Sequence, residues 1–220
     1  MIITIDGPAG SGKSTVARRL ARELGIAFLD TGATYRAVTL KALRERANLE
    51  DEQALAQLAR DAAVQLVDDD GDLRVLLDGE DVSAEIRSEH VTRQSYYLAR
   101  SPAVREVLVE LQRRLGDQLG SFVTEGRDQG SVVFPHAQAK FFLDASPEVR
   151  ARRRHHELLG RGQPADYQQV LADLIQRDHR DRSRAVGPLK PAEGAIVVDT
   201  SDMTIEQVVE HLKSRLEPTR

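Results

Sequence analysis

The chain has no cysteine, no tryptophan and, at 4% aromatic residues, few rings of any kind. Without cysteine there are no disulfides and no thiolate metal sites, which fits a reducing compartment. Few rings means few stacking platforms of the sort that hold single-stranded nucleic acid. An excess of basic charge is missing too. There are 31 Lys and Arg against 35 Asp and Glu, a formal net charge of -4, which argues against bulk affinity for a polyanion. No apolar run approaches the roughly 20 residues needed to cross a bilayer. Met1 leads directly into an apolar segment, leaving no room for a signal peptide. The expectation is a cytoplasmic monomer with no membrane or nucleic-acid partner. The 220 residues, 40% hydrophobic and 30% charged, suffice for one substantial core with smaller lobes attached.

The strongest signal comes first. Residues 2–5 form a short apolar run suited to a buried strand. Gly7, Pro8, Ala9, Gly10, Ser11, Gly12, Lys13 and Ser14 then match G-x-x-x-x-G-K-[ST], the phosphate-binding loop, with Thr15 following. Val16, Leu20 and Leu24 recur at helical spacing, and Gly25 supplies a stop. Strand, glycine loop and helix form the context the motif requires, which a chance glycine-rich turn lacks. Glycines let backbone N–H groups turn inward around an oxyanion, and the helix N-terminus adds free donors and a positive dipole end. In such a loop Lys13 reaches the terminal phosphates of a bound nucleotide, and the Ser14 hydroxyl can ligate Mg²⁺.

Strand and helix patterns alternate through the rest of the chain, so we expect an α/β fold with a parallel sheet covered on both faces. Residues 26–29 read as a strand. They are followed by Asp30, Thr31, Gly32 and Arg36, a polar cluster at a strand's carboxyl end, where open α/β sheets bind ligands. Two apolar segments, 64–67 and 73–77, flank Asp68-Asp-Asp-Gly-Asp72 and predict a hairpin. Ser101-Pro102 opens a helix with a stripe at Val104, Val107, Leu108, Leu111 and Leu115, beside which lies Arg105. Strands are expected over 122–124, 139–143 and 195–198. The helix after Ser146-Pro147 carries Arg150, Arg152, Arg153 and Arg154 and breaks at Gly160-Arg161-Gly162, which suits a closing flap. Individually, the flap arginines read most simply as solvated charges. Arg177, Asp181 and Arg184 fall at i, i+4 and i+7 and share one helix face. Thr204 and Gln207 predict a capping box for the last helix.

Taken together, these segments resemble the bacterial cytidylate kinase family, nucleoside monophosphate kinases of the P-loop fold. The residues carrying the resemblance are GPAGSGKST, Asp30-Thr-Gly-Ala-Thr-Tyr-Arg36, Leu76-Leu-Asp-Gly-Glu-Asp-Val82, Glu125-Gly-Arg-Asp128, Val132-Val-Phe-Pro135 and 177–188. Only the first is a general motif; the match runs nearly end to end. The resemblance implies a P-loop NTPase-type sheet flanked by helices, with a core over 1–60, 91–147 and 165–220. An inserted acceptor-binding lobe would occupy about 61–90 and a lid about 148–164. It implies transfer of the ATP γ-phosphate to CMP or dCMP with Mg²⁺. Lys13, Arg127 and Arg36 would be catalytic and residues 7–15 would hold ATP. Thr31, Arg36, Arg105, Arg127, Asp128, Arg177, Asp181 and Arg184 would line the CMP site. The metal would sit on Ser14, with Asp30 and Glu125 as candidates for contact through water. Two positions depart from the family's pattern. Tyr96 stands where a base-contacting serine is frequent, with Ser95 beside it, and Gln129 replaces a common methionine.

Rival readings lack their signatures. A nucleotide switch needs an N-K-x-D guanine reader, but the single asparagine, Asn48, precedes Leu49. A kinase of the shikimate kinase type needs neither a hairpin lobe of this size nor the 177–184 charge pattern. An RNA binder built on the basic run at 150–161 conflicts with the acidic balance and scarce rings.

Overall fold

The computed structural model describes residues 1–69 and 72–216. Asp70 and Gly71, at the tip of the expected hairpin, lie outside the described residues. In chain order the elements are β1 (Ile2–Asp6), α1 (Lys13–Leu24), β2 (Ala27–Asp30), α2 (Thr31–Arg44), α3 (Glu52–Asp61), β3 (Val64–Asp69), β4 (Asp72–Leu77) and β5 (Glu80–Asp81). They continue with α4 (Glu89–Arg100), α5 (Pro102–Leu119), β6 (Phe122–Gly126), β7 (Ala139–Asp144), α6 (Pro147–Gly160), α7 (Tyr167–Arg182), β8 (Ile196–Asp199) and α8 (Ile205–Leu216). Five strands form one sheet in the order β2-β6-β1-β7-β8, and β3-β4-β5 form a second. β1 and β8 both run parallel to β7, Ile5 opposite Phe141 and Phe142 opposite Val197. All of β1 from Ile3 to Asp6 is buried, polar Thr4 and Asp6 included. That is the pattern of a strand covered on both faces.

The chain divides into two compact units, residues 1–24 with those from 123 onward, and residues 25–122. In the second unit one hydrophobic cluster joins α2, α3, the β3-β4 hairpin, α4 and α5 through Val38, Leu55, Val75, Leu98 and Leu108. The expected hairpin is present, Val64 pairing with Leu77 and Val67 with Arg74. α4 has no counterpart among the expected elements. Its fully buried residues are Val91 and Leu98 alone, too sparse a pattern to mark a stripe, although Ser88 caps it by accepting from Val91 N. α2 begins at Thr31, directly after its cap Asp30 at the end of β2, so the polar cluster expected at a strand's carboxyl end lies in the first turns of a helix.

In the first unit the capping box of α8 forms as expected. Gln207 Oε1 accepts from Thr204 N at 2.8 Å and Thr204 Oγ1 from Gln207 N at 3.3 Å. After β6 the chain makes a single π turn over Gln129–Val133, an element with no periodic signature in the sequence. Gly7 ends β1 at φ 150°, where a methyl group would come within 2.0 Å of the Leu143 carbonyl oxygen. Only glycine lets the chain turn there against β7. Gly7→Ala is therefore expected to lower the unfolding free energy by about 3 kcal/mol or more. Gly25→Ala, at φ 64° with open space around it, should cost about 1 kcal/mol. Urea unfolding of both variants checks this; equal costs would contradict the close approach.

Candidate active site

The glycine loop lies between β1 and α1, and residues from five segments of the first unit gather near it. Lys13 is the first residue of α1 and is only 5% exposed. Its ammonium folds back on the loop, donating to the Pro8 carbonyl at 2.6 Å and reaching Ser11 Oγ at 3.5 Å. Burial lowers its pKa to about 7. The positive charges of Arg127 and Arg177 act in the same direction, while Glu125 and Asp6 oppose them. These effects place the loop lysine within electrostatic reach of the β6 end and α7. Ser14, exposed at the second position of α1, donates to Glu125 Oε1 at 2.8 Å. A hydroxyl beside a carboxylate is a hard-oxygen pair suited to Mg²⁺, which takes few protein ligands and completes its shell with phosphate and water. Among the described residues there is no group of three or more His, Cys, Asp or Glu able to hold a metal alone.

Beyond β6, Arg127 Nε donates to Asp181 Oδ2 at 2.9 Å, and Arg184 Nη2 donates to Asp181 Oδ1. Burial would raise the Asp181 carboxyl, but Arg127, Arg184 and Arg177 outweigh it and hold it below the usual carboxylate range. Burial would likewise lower Arg127, and Asp181 and Glu125 reverse the sign. Of the three residues expected on one face of α7, Asp181 and Arg184 are in contact, while Arg177 is exposed and acts through its charge. Asp128 is 5% exposed and immediately precedes the π turn. That turn is anchored by Asp6, whose two oxygens accept from Gln129 N and Gly130 N at 2.8 Å each. Burial raises Asp6 to about 7 against the pull of those amides, with Asp128 adding to the rise and Lys13 opposing it.

The remaining expected site residues belong to the second unit. Thr31 opens α2. Arg36 Nη2 pairs with Asp30 Oδ2 at 3.1 Å, while Asp30 Oδ1 caps the helix by accepting from Ala33 N at 2.9 Å. Both Asp30 oxygens are thus engaged. Arg105, on α5, is 3% exposed. Ser95 donates to its own helix at the Thr92 carbonyl, 2.7 Å away, and the Arg100 guanidinium lies 5.5 Å from the Tyr96 ring centroid.

The expected reading of the flap arginines as solvated charges fails for Arg150. It is 2% exposed, with Nε donating to Ala145 O at 2.9 Å and Nη1 to Ala9 O at 3.0 Å, and it pairs with Asp178 at 2.7 Å. Arg153 also has structural partners, the hydroxyl and carbonyl of Thr200. Asp6, Arg150 and Asp178 were not among the expected site residues. A usable sign was in α7 all the same: Val170, Leu174, Asp178 and Asp181 make one buried stripe, and carboxylates at core positions require partners.

A glycine loop at the end of a parallel strand, an adjacent buried lysine and a facing arginine–carboxylate cluster define a P-loop phosphotransferase. The cytidylate kinase family model matches residues 3–217, and the chain belongs to that family of nucleoside monophosphate kinases. A cytidylate kinase from Pelotomaculum thermopropionicum is 52% identical over 99% of this chain and 96% of its own. One from Caldanaerobacter subterraneus is 50% identical over 96% and 92%. A shikimate kinase structure from Bacteroides thetaiotaomicron covers 99% of both chains, but at 16% identity and a TM-score of 0.46 it is too distant to bear on the reaction.

The lysine's burial has a consequence in solution. Its pKa of about 7 lies below the ordinary 10.5. Between those values the folded chain holds fewer protons at this group than the unfolded chain, so the contribution of Lys13 to stability rises with pH across that window. Phosphates arriving at the loop would raise the pKa again. ATP binding at pH 8 is therefore expected to take up a substantial fraction of a proton, measured by calorimetry in buffers of different ionisation enthalpy. Lys13→Met should abolish the uptake; undiminished uptake in that variant would exclude the lysine as its source.

Proposed function

We infer that this member of the cytidylate kinase family transfers the γ-phosphate of ATP to CMP, and also to dCMP, giving ADP and CDP or dCDP by direct in-line displacement. The observation that carries the reading is the proximity, within one compact unit, of the buried loop lysine to the cationic cluster of the β6 end and α7. In this reading residues 7–15 wrap the phosphates of ATP, their amides aimed inward with the N-terminus of α1. Ser14 and Glu125 would hold Mg²⁺, which supplies charge neutralisation across the phosphates. Lys13, Arg127 and Arg36 offset the charge that spreads over the equatorial oxygens. Arg36 and Arg127 also suit a bidentate grip on the phosphate of the acceptor. No strong general base is required.

Acceptor choice rests on the base. Cytosine presents an amino donor beside two acceptors. Asp128 would accept from the amino group and Arg105 donate to the acceptors, as carboxylates do toward cytosine in nucleic-acid readout. Uracil places an oxygen where the amino group was, and the Asp128 carboxylate repels it. Asp181 would accept from a ribose hydroxyl, with Thr31, Arg177 and Arg184 completing the wall. The lobe at about 61–90 would contribute to acceptor binding. The stretch 148–164 would close over ATP and exclude water, a competing acceptor, with Arg150 its fixed root. We place the enzyme in the cytoplasm as a monomer, in pyrimidine nucleotide metabolism.

A coupled ADP assay over CMP, dCMP, UMP and AMP, with ATP and Mg²⁺, tests the whole reading. CMP and dCMP should exceed UMP and AMP by about a hundredfold in kcat/KM, and equal rates on UMP would refute base reading by a carboxylate. Asp128→Asn, whose amide can present either an oxygen or an amine, should cut the CMP-over-UMP ratio by about tenfold. Unchanged selectivity would remove Asp128 from the base site. Lys13→Ala should lower kcat by about a thousandfold with an unchanged circular dichroism spectrum. Retained turnover would contradict the role of the loop.

A further inference from the structure

Three observations converge on the Arg150–Asp178 ion pair. First, Arg150 is a buried cation whose hydrogen bonds go to the phosphate-binding loop, at Ala9 O, and to the start of its own segment, at Ala145 O. The Ala9 side chain packs in the same apolar cluster as Ala151, Val170 and Leu174, and a methyl group at Gly10 would meet Arg150 at 3.1 Å. The loop therefore rests on Arg150. Second, Asp178 lies on the buried stripe of α7 one turn before Asp181, the carboxylate that holds Arg127 and Arg184. One helix thus carries side by side the counter-ion of the arginine beneath the loop and that of the arginine cluster at the β6 end. Third, Asp178 engages Arg150 through Oδ2 only. Oδ1 is buried and has no hydrogen-bond partner among the described residues, while the carboxylate's charge also acts on Arg127. An acceptor left unsatisfied in the interior is costly, so this carboxylate has capacity for one further donor.

We propose that Arg150 and Asp178 are positioning residues that couple the two nucleotide sites: a shift of the loop around ATP phosphates moves Arg150, and Asp178 passes that shift along α7 to the cluster that receives CMP. The proposal rests on the two-nucleotide reading above. Coupling between sites is reciprocal, so ATP would tighten CMP binding by the same factor as CMP tightens ATP.

The test is the dissociation constant of CMP by calorimetry, with and without a saturating non-hydrolysable ATP analogue. For the wild-type chain we expect about tenfold tightening. Removing one member of a buried pair strands the other, whereas replacing both with apolar residues of similar size preserves folding. The informative variant is therefore Arg150→Met with Asp178→Leu. Asp178→Asn, which keeps shape and an acceptor but not charge, serves as the second. The double variant should retain cooperative melting, Asp178→Asn should melt lower because it leaves the Arg150 charge unpaired, and both should still bind each nucleotide alone while the ratio falls below about twofold. A purely structural pair would lower the melting temperature and leave the ratio at its wild-type value, and that result in either variant overturns the proposal. A wild-type ratio of one overturns it as well, with turnover on CMP still upholding the two-nucleotide reading. Failure of wild-type chain to bind CMP at all would sink that reading first and the coupling with it.

Discussion

The structure depends on keeping a lysine charge-poised in an interior that penalises it. Lys13 is 5% exposed, and its hydrogen-bond partners are the Pro8 carbonyl and the Ser11 hydroxyl. Neither is an anion, and burial, with Arg127 and Arg177 adding to it, outweighs the charges of Glu125 and Asp6, so its pKa falls toward neutrality. A lysine held this way forms no tight ion pair that phosphate would have to break. The glycine geometry around it, with Gly7 pressed against Leu143 O, leaves the loop little room to relax the tension by moving. Preorganisation of this type places the cost of assembling charge in folding and takes it out of the reaction step.

The surrounding charges follow the same logic with a different remedy. Arg127, Arg150 and Arg184 are largely buried, and each has a carboxylate on α7. Buried pairs of this kind seldom add net stability, since desolvation offsets most of the attraction. Their value lies in geometry. Asp178 and Asp181 continue the stripe begun by Val170 and Leu174, so the apolar half of α7 fixes the helix while the acidic half fixes the arginines. Asp6 does comparable work at the end of β1, where its two oxygens hold the amides that follow Asp128.

Much of this was legible from residue order alone. The strand–loop–helix start, the hairpin at 64–77, the Ser101-Pro102 helix start and the capping box at Thr204 and Gln207 are local patterns, and the structure has each of them. α4 escaped because two buried residues in twelve make no stripe. The π turn escaped because its determinant is Asp6, more than a hundred positions away. Arg150 was misread for the same reason. In a run of four basic residues in five nothing local separates the one that turns inward, and its partners at Ala9 and Asp178 are distant in sequence. Helical phase gave the only available clue, since Asp178 occupies a position where the pattern calls for an apolar side chain.

These internal counter-ions also bear on why such a site can exclude water as acceptor. Asp181 engages Arg127 at the position that a phosphate oxygen would take if Arg127 grips the acceptor as proposed. An acceptor bound as proposed would have to compete with Asp181 for Arg127, which a neutral molecule would do poorly and a phosphate monoester well, by charge and by bidentate geometry. On the proposed reading, water entering alone would meet Arg127 still held by Asp181, and the γ-phosphate would lack that one of its cations. On the proposed reading, selectivity against hydrolysis would lie partly in the competition between Asp181 and substrate for Arg127, and not solely in a lid that shuts solvent out.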